Sequence, residues 1–413
     1  MSLLKLSHPT KKINARICIP GSKSESNRLL ILNALSGNRL TIDNLSTARD
    51  TTNLQRILAS KDTTVNVIDA GTSMRFLTAY YAATNQHKII TCSERMKERP
   101  IAPLVNALSE IGFDVRYMEK EGFPPLEIVP LKNFDKLDNE VFIEGNISSQ
   151  FITALLLVAP VLPKGLKINF TTGITSRPYI DMTLTILQHF GVNHVWEGDK
   201  SLEIRHSAFS VQHYLIGADW SSASYWYSIA FLADEAEIFI EGLKDDWSQG
   251  DRTVAEWMKR FGVATEFTND GAWLRKSQVS YPKLIKLNFK DNPDLAQTFA
   301  ALLAAGNICA TFTGLESLKI KETDRVAALQ SELKKVHVNL DYADRYEFYQ
   351  LKGDFVMPTS PIKTYNDHRM AMSFAPLALL AEVEIEDPDV VDKSYPTFWE
   401  DMEKAGFKIS STQ

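Results

Sequence analysis

The feature that most constrains this chain is one local design used six times. A short polar stretch, rich in small hydroxyl residues and carrying charge, runs directly into a segment that is apolar almost all round. Residues 20–28 (PGSKSESNR) precede LLILNALSG, and residues 69–75 (DAGTSMR) precede FLTAYYAA. Residues 145–150 (GNISSQ) precede FITALLLVA, and 219–224 (DWSSAS) precede YWYSIAFLA. Residues 291–294 (DNPD) precede LAQTFAALLAAG, and 365–369 (YNDHR) precede MAMSFAPLALLA. A helix that is apolar on every side must be buried. Its first turn then points unpaired N–H groups and a positive dipole end into the protein, an arrangement that suits a phosphate or a carboxylate. In the first stretch Lys23 and Arg28 add full charges, and Gly37 is placed to cap the helix that follows.

Each buried segment is followed, at varying distance, by a second helix of another kind. These are amphipathic, and most end in a Gly that opens a strand-like run: IAPLVNALSEIGFDV, MTLTILQHFGVNHV, VAEWMKRFGVATEF, VAALQSELKKVHVNL and FWEDMEKAGFKI. VAALQSELKKVHVNL differs in carrying no Gly, and in the first unit TTNLQRILASKDTTVNV ends in Lys-Asp instead. Six units of buried helix, amphipathic helix and intervening strands form an α/β repeat, with helices inside and sheets outside. The units are far longer than solenoid repeats, so a closed arrangement is expected, in which six charged helix N-termini converge on one cleft. Counting repeats places three units in residues 21–217 and three in 218–413, two similar domains joined near Gly217. Residues 1–20 read as a short strand pair leading into the first loop.

The chain of 413 residues is long enough for two substantial cores. Its net charge of −6 argues against nucleic acid as the main partner, so an anionic substrate has to be drawn by a local basic cluster. Cys18, Cys92 and Cys309 are few and scattered, which fits a reducing compartment, and the eight His show no metal-ligand spacing. The N-terminus lacks the apolar core of a signal peptide, and no apolar run is long enough to cross a bilayer. A cytoplasmic protein needing no metal and no cofactor is expected, with small molecules rather than nucleic acid or membrane as partners, and a monomer as the default.

Three further segments are rich in charge. In 94–100 (ERMKERP), Pro100 is placed at the start of the next helix. The segment 319–325 (KIKETDR) opens an amphipathic helix with Glu322 and Arg325 three apart on one face; read alone, it is an exposed capping segment with an ion pair. The third, 392–396 (DKSYP), also precedes a helix.

These stretches together resemble the 5-enolpyruvylshikimate-3-phosphate synthase family. PGSKSESNR, DAGTSMRFLTA, RMKERP, GNISSQFITALL, SRPYIDMT, DWSSASY, NPDLAQT, KIKETDR, YNDHRMA and KSYPTFW occur in the family's order and with compatible spacing, from residue 20 to residue 399. The resemblance implies two domains of three βαβαββ units each, an inside-out α/β barrel with an active-site cleft between them. It also implies that the N-terminal strand belongs with the second domain. The implied reaction transfers the enolpyruvyl group of phosphoenolpyruvate to the 5-hydroxyl of shikimate 3-phosphate by addition and elimination, releasing phosphate, in aromatic amino acid biosynthesis.

By the same resemblance, Lys23, Arg99 and Lys393 are expected to bind the phosphate of phosphoenolpyruvate. Arg325 and Arg369 are expected to clamp its carboxylate, where a planar bidentate donor fits best. Ser24, Arg28, Ser148, Ser149, Ser176, Tyr179 and Lys321 correspond to the shikimate 3-phosphate site, with Gln150 against its ring. Gly71 is expected to lie against phosphoenolpyruvate, where a side chain would intrude. Asp294 matches the family's base and also a ligand of the ring hydroxyls; Glu322 matches its acid, with His368 assisting. Departures from the family pattern are Glu25 for an apolar residue, Asp69 for Asn, Phe76 for Pro, and Ser317 where some members offer Asn or Glu to shikimate 3-phosphate. The related enolpyruvyl transferase that acts on UDP-N-acetylglucosamine usually carries a Cys five residues before the Arg of its RP loop. Here that position is Glu94, and Cys92 reads as a small apolar residue at a strand end. A silent homologue would be expected to have lost one of Lys23, Asp294, Glu322, Arg325 or Lys393, and all are present.

Overall fold

A computed structural model describes residues 2–412. The chain divides into two compact units. One comprises residues 23–45 and 50–216; the other comprises residues 1–22, 46–49 and 217–413. The boundary expected from repeat counting therefore moves by two residues at the N-terminal side, and the four residues 46–49 belong to the second of these units.

The unit of residues 23–45 and 50–216 contains helices α1 (Lys23–Leu35), α2 (Arg49–Ala59) from its second residue on, α3 (Gly71–Ala83), α4 (Glu94–Lys97), α5 (Ala102–Ile111), α6 (Ser149–Val158) and α7 (Arg177–His189). Two four-stranded sheets cover it. One runs in the order Thr64–Asn66, Lys88–Thr91, Leu126–Val129, Asp114–Tyr117, and the other in the order Glu140–Ile143, Leu166–Phe170, Ser201–Ile204, His194–Glu197. In both, the first pair is parallel and the next two are antiparallel. The third sheet is only the parallel pair Thr41–Asp43 with His213–Leu215. The first repeat is thus cut short. After α2 only four residues separate Ala59 from the Thr64–Asn66 strand, too few for the closing hairpin, and that strand already belongs to the next sheet. This is the unit whose amphipathic segment ends in Lys-Asp rather than Gly.

The other unit contains α8 (Trp220–Leu232), α9 (Thr253–Lys259), α10 (Ala296–Ala305), α11 (Arg325–Lys335), α12 (His368–Phe374) and α13 (Phe398–Lys404). Its sheets repeat the same pairing. Lys12–Ile17 runs parallel to Glu235–Glu241, which is followed by antiparallel Gly271–Lys276 and Val263–Thr268. Leu284–Asn288 runs parallel to Cys309–Thr313, followed by Phe348–Gly353 and Val338–Ala343. In the last sheet Leu3–Ser7 lies between Val383–Glu386 and Lys408–Thr412, antiparallel to both. The two N-terminal strands are therefore not a pair. They join different sheets of this unit, one opening a repeat and the other completing the last.

The all-apolar helices lie inside, as their composition demands. In α6 every residue except Gln150 is buried, and α10 is buried from Ala296 to Ala304. Each unit has its own core, one built on residues such as Leu29, Leu77 and Leu155, the other on Trp226, Phe299 and Met370. Burying one such side chain contributes roughly 1.5–3 kcal/mol. The polar stretches are less loop-like than expected: α1 already starts at Lys23, so Lys23, Ser24 and Arg28 lie within its first turn and a half. Gly37, with φ of +74°, follows its end. Pro100 is not in the helix that follows it. That helix begins at Ala102, and Pro103 occupies its first turn instead, where a missing N–H costs nothing.

Candidate functional site

In the unit carrying α1, α3, α6 and α7, the expected residues collect at helix starts. Lys23 opens α1 and its Nζ lies 3.5 Å from the Asp50 carboxylate. Gly71 opens α3. Arg75, one turn on, is buried and donates to the Gly71 carbonyl at 3.2 Å and to the Pro100 carbonyl at 2.8 Å. That single side chain ties the start of α3 to the Arg99–Pro100 corner. Arg99 itself is buried beside Gly71. The charge run 94–100 therefore splits. Arg95 pairs with Glu98, and Lys97 with Glu94 and Glu119, at the surface, while Arg99 turns inward.

Ser148 caps α6 by accepting from the Gln150 N–H, and Ser149 is the first residue of that helix. The Gln150 side chain donates to Thr72 at 3.3 Å, linking the first turns of α6 and α3. Ser176 precedes α7 in the left-handed conformation, with φ of +53°. Tyr179 lies in the first turn of α7. Arg28 joins these parts. Its Nε donates to Thr183 at 2.8 Å, Nη1 to the Ser24 carbonyl at 2.7 Å, and Nη2 to the Tyr179 carbonyl at 3.1 Å. Burial lowers its pKa to about 10, opposed by nearby Tyr179 and Glu25. Glu25, an unusual charge at this place, is buried and accepts from the Tyr214 hydroxyl at 3.3 Å. Phe76 is also buried and sits under the Arg28 guanidinium, 5.7 Å from it.

In the other unit the charged residues form one connected cluster. Arg325 opens α11 behind the Asp324 cap and is only 2% exposed. The expected exposed ion pair is therefore buried. The Glu322–Arg325 contact exists, at 2.8 Å, but the guanidinium also reaches Asp367 at 2.6 Å and Asp294 at 3.1 Å, and these partners draw it inward. Arg369, in the first turn of α12, holds the other oxygen of Asp294 at 2.8 Å and the Tyr225 hydroxyl at 3.3 Å. Asp294 thus lies between two guanidinium groups. Burial alone would raise its pKa, but Arg369, Lys321 and Arg325 hold it far below the ordinary carboxylate range. Asp251, buried nearby and bonded to Ser221 at 2.5 Å, is pushed the other way to about 6, by burial and by the charge of Asp294. His368 is buried next to Asp367, its Nδ1 3.8 Å from that carboxylate. Lys393 ends the 3₁₀ segment Pro388–Lys393, is buried, and that segment packs on α12. Ser317 is half-buried in the 3₁₀ segment Glu316–Ile320.

Sequence reasoning did not single out Asp50, Arg75, Asp251 or Asp367. Asp367 and Arg75 sit inside quoted motifs and were within reach. Asp50 and Asp251 carry no local signal, because their partners come from distant parts of the chain. Cys92 follows the Lys88–Thr91 strand, packs against the core, and has its thiol pushed up to about 11 by burial. Among the described residues no group of three or more His, Cys, Asp or Glu is placed to hold a metal ion, and no helix is long and apolar enough to cross a membrane.

Two α/β units whose buried helices begin in clustered cations, with carboxylates among them, define a class of protein built to handle small anionic molecules. The chain belongs to the EPSP synthase (3-phosphoshikimate 1-carboxyvinyltransferase) family, whose model matches residues 7–60 and 52–402. A 3-phosphoshikimate 1-carboxyvinyltransferase of Bacteroides fragilis is 44% identical over 408 residues, 98% of each chain. One from Pasteurella multocida is 33% identical, over 95% of this chain and 96% of its own. Among solved structures, an EPSP synthase from Acinetobacter baumannii superposes over both full chains with a TM-score of 0.76 at 18% identity. The enolpyruvyl transferase NikO from Streptomyces tendae superposes over all of this chain and 99% of its own with a TM-score of 0.72 at 15% identity, so the fold is common to both.

Proposed function

We propose that this chain transfers the enolpyruvyl group of phosphoenolpyruvate to the 5-hydroxyl of shikimate 3-phosphate and releases phosphate. Family membership over nearly the whole chain supports the reaction. The observation that carries the assignment of residues is the buried pair Arg325 and Arg369, each gripping one oxygen of the Asp294 carboxylate. Two guanidinium groups already arranged around a carboxylate suit the carboxylate of phosphoenolpyruvate.

In this reading Arg325 and Arg369 hold that carboxylate, and Lys23, Arg99 and Lys393 hold the phosphate, with Gly71 leaving room beside Arg99. Ser24, Arg28, Ser148, Ser149, Gln150, Ser176, Tyr179, Ser317 and Lys321 serve shikimate 3-phosphate. Arg28 also fixes the Ser24 and Tyr179 carbonyls, so it shapes that site as well as charging it. In the addition step the 5-hydroxyl oxygen bonds to C2 of phosphoenolpyruvate, loses its proton to Asp294, and the methylene carbon gains a proton from Glu322, with His368 assisting. Elimination then breaks the C2–O bond to phosphate and returns a methyl proton to the enzyme.

The resting pairings give the substrate a role in starting this chemistry. Asp294 between two arginines is a poor base, and Glu322 is paired with Arg325. A substrate carboxylate competes with both for the same guanidinium groups and adds a negative charge beside Asp294, which raises its proton affinity. The site is thereby armed by the substrate it acts on.

The test is phosphate release from purified protein given phosphoenolpyruvate with shikimate 3-phosphate or, in parallel, with UDP-N-acetylglucosamine. Release with shikimate 3-phosphate alone is expected. Release only with the nucleotide sugar, or with neither, would overturn the reading.

A further inference from the structure

The segment that presents Asp367 and Arg369 is held in an unusual backbone conformation. Tyr365 and Asn366 are consecutive, neither is Gly, and both are left-handed, with φ of +54° and +55°. Side chains avoid this region, an aromatic one especially, and a stretch of this kind persists only where its surroundings impose it. Glu332, two turns along α11 and wholly buried, bonds this segment from another element. One of its oxygens accepts from the Tyr365 hydroxyl at 2.7 Å and the other from the Lys363 N–H at 3.0 Å. Lys335, one turn further on, pairs with Glu332 at 2.7 Å and donates to the Pro361 carbonyl at 2.7 Å.

Arg325 and Glu332 are seven residues apart, on one face of α11. The connections therefore close a ring. Arg325 bonds Asp367; the backbone runs from Asp367 back to Tyr365; Tyr365 bonds Glu332; and α11 returns to Arg325. Asp367 is also the cap of α12, accepting from the Arg369 N–H at 2.9 Å. Rotating the Tyr365–Asn366 corner would move the Asp367 carboxylate, and with it the orientation of both arginines.

We infer that Glu332 is a positioning residue for the reaction, holding the Tyr365–Asn366 corner so that Asp367 sets Arg325 and Arg369 at the spacing a substrate carboxylate needs. This rests on the proposed role of the two arginines. Buried, Glu332 must find donors, and two of those it finds belong to the strained segment that carries Asp367.

The test uses the full chain carrying Glu332→Gln or, as the milder change, Tyr365→Phe. Gln keeps the shape but turns a donor toward one of the donors that Glu332 accepts from. Tyr365→Phe deletes one hydroxyl and leaves the other partners in place. For both, KM for phosphoenolpyruvate is expected to rise about tenfold while KM for shikimate 3-phosphate stays within twofold and kcat within threefold. The Nε–H resonance of Arg325, assigned by its loss in Arg325→Lys, is expected to shift in both variants, since that N–H faces Asp367. Lowered melting temperature with both KM values and the Arg325 signal unchanged would mean a purely structural Glu332 and overturn the inference, as would equal rises in both KM values. If the unaltered protein turns over neither substrate, the functional reading fails, and the Arg325 signal alone then decides whether Glu332 positions that arginine.

Discussion

A Cβ placed on Gly71 would lie 2.6 Å from Nη2 of Arg99 and 2.9 Å from its Cζ. Nothing in the backbone at Gly71 demands glycine for conformational reasons; the demand comes from the neighbouring cation. The obstructing atoms are the far end of a side chain, which can move without disturbing the core. Gly71→Ala should therefore fold normally, with a melting temperature within about 2 °C of the parent. It should displace Arg99, and KM for phosphoenolpyruvate should rise about tenfold or more while KM for shikimate 3-phosphate changes little. Steady-state kinetics with each substrate varied in turn checks this; an unchanged KM for phosphoenolpyruvate would remove Arg99 from the phosphate site.

Arg28 offers a contrasting case, where binding and stability are tied together. Its guanidinium is buried and holds the buried Thr183 hydroxyl and the half-buried Ser24 and Tyr179 carbonyls. Lys at this position keeps a charge but cannot reach three partners in a plane. Arg28→Lys should cost about 2 kcal/mol of stability through the carbonyls left without donors. It should also raise KM for shikimate 3-phosphate. Denaturant unfolding and kinetics on the same preparation test both; a stable variant with normal kinetics would show that the three bonds carry no weight.

Much of this was legible in the residues because burial leaves a plain mark. Segments such as FITALLLVA and LAQTFAALLAAG could only be interior helices, and their recurrence gave the repeat count. The truncated first repeat was visible as the Lys-Asp end of its amphipathic segment, though not its consequence, since strand pairing depends on residues far apart. The N-terminal strands were misread for the same reason: Leu3–Ser7 pairs with a strand beginning at Val383, and no local pattern encodes a partner nearly four hundred residues away. Arg325 was read as exposed because its charge and its spacing from Glu322 are those of a surface helix. Its burial follows from Asp294 and Asp367, which reach it from other elements. Motif resemblance placed it among the expected site residues where periodicity did not.

His8 gives the fold a pH dependence outside the charged cluster. It is buried against Phe407, accepts from the Lys11 N–H at Nδ1 at 3.0 Å, and faces the Ala405 carbonyl with Nε2 at 3.3 Å. Nδ1 therefore cannot carry a proton without losing the Lys11 bond. Burial lowers the pKa below the usual 6.5, with the Ala405 carbonyl opposing. The unfolded chain then binds the proton more readily than the folded one, so this contribution is complete above pH 6.5 and is lost as pH falls below it. The melting temperature should drop between pH 7.5 and pH 5.5, and His8→Asn should reduce that drop by about 2 °C. Equal drops in both proteins would show that His8 binds its proton equally well in the folded and unfolded chain and carries none of the pH dependence.

Asp294 is asked to be both a structural anion and a base, and the two roles separate on substitution. Its pKa is depressed in the folded protein, so the stability it supplies is present above the ordinary carboxylate range and is lost as pH falls below about 4. At neutral pH the carboxylate is fully charged and neutralises two buried arginines. Asp294→Asn keeps the shape and removes the charge, leaving Arg325 with Glu322 and Asp367 while Arg369 loses its 2.8 Å carboxylate partner. Breaking a buried pair from one side costs roughly 3–5 kcal/mol, so this variant should be markedly less stable. Glu322 is one of three carboxylates on Arg325 and half-buried, so Glu322→Gln should cost less stability. In turnover both should fall by roughly a hundred- to ten-thousandfold, the usual reach of a general base or acid. Saturating phosphoenolpyruvate should stabilise Asp294→Asn more than it stabilises the parent, because the substrate carboxylate supplies the missing anion. Full turnover in Asp294→Asn alongside an inactive Glu322→Gln would sink the base assignment, and the proton of the 5-hydroxyl would have to be sought at Glu322 instead.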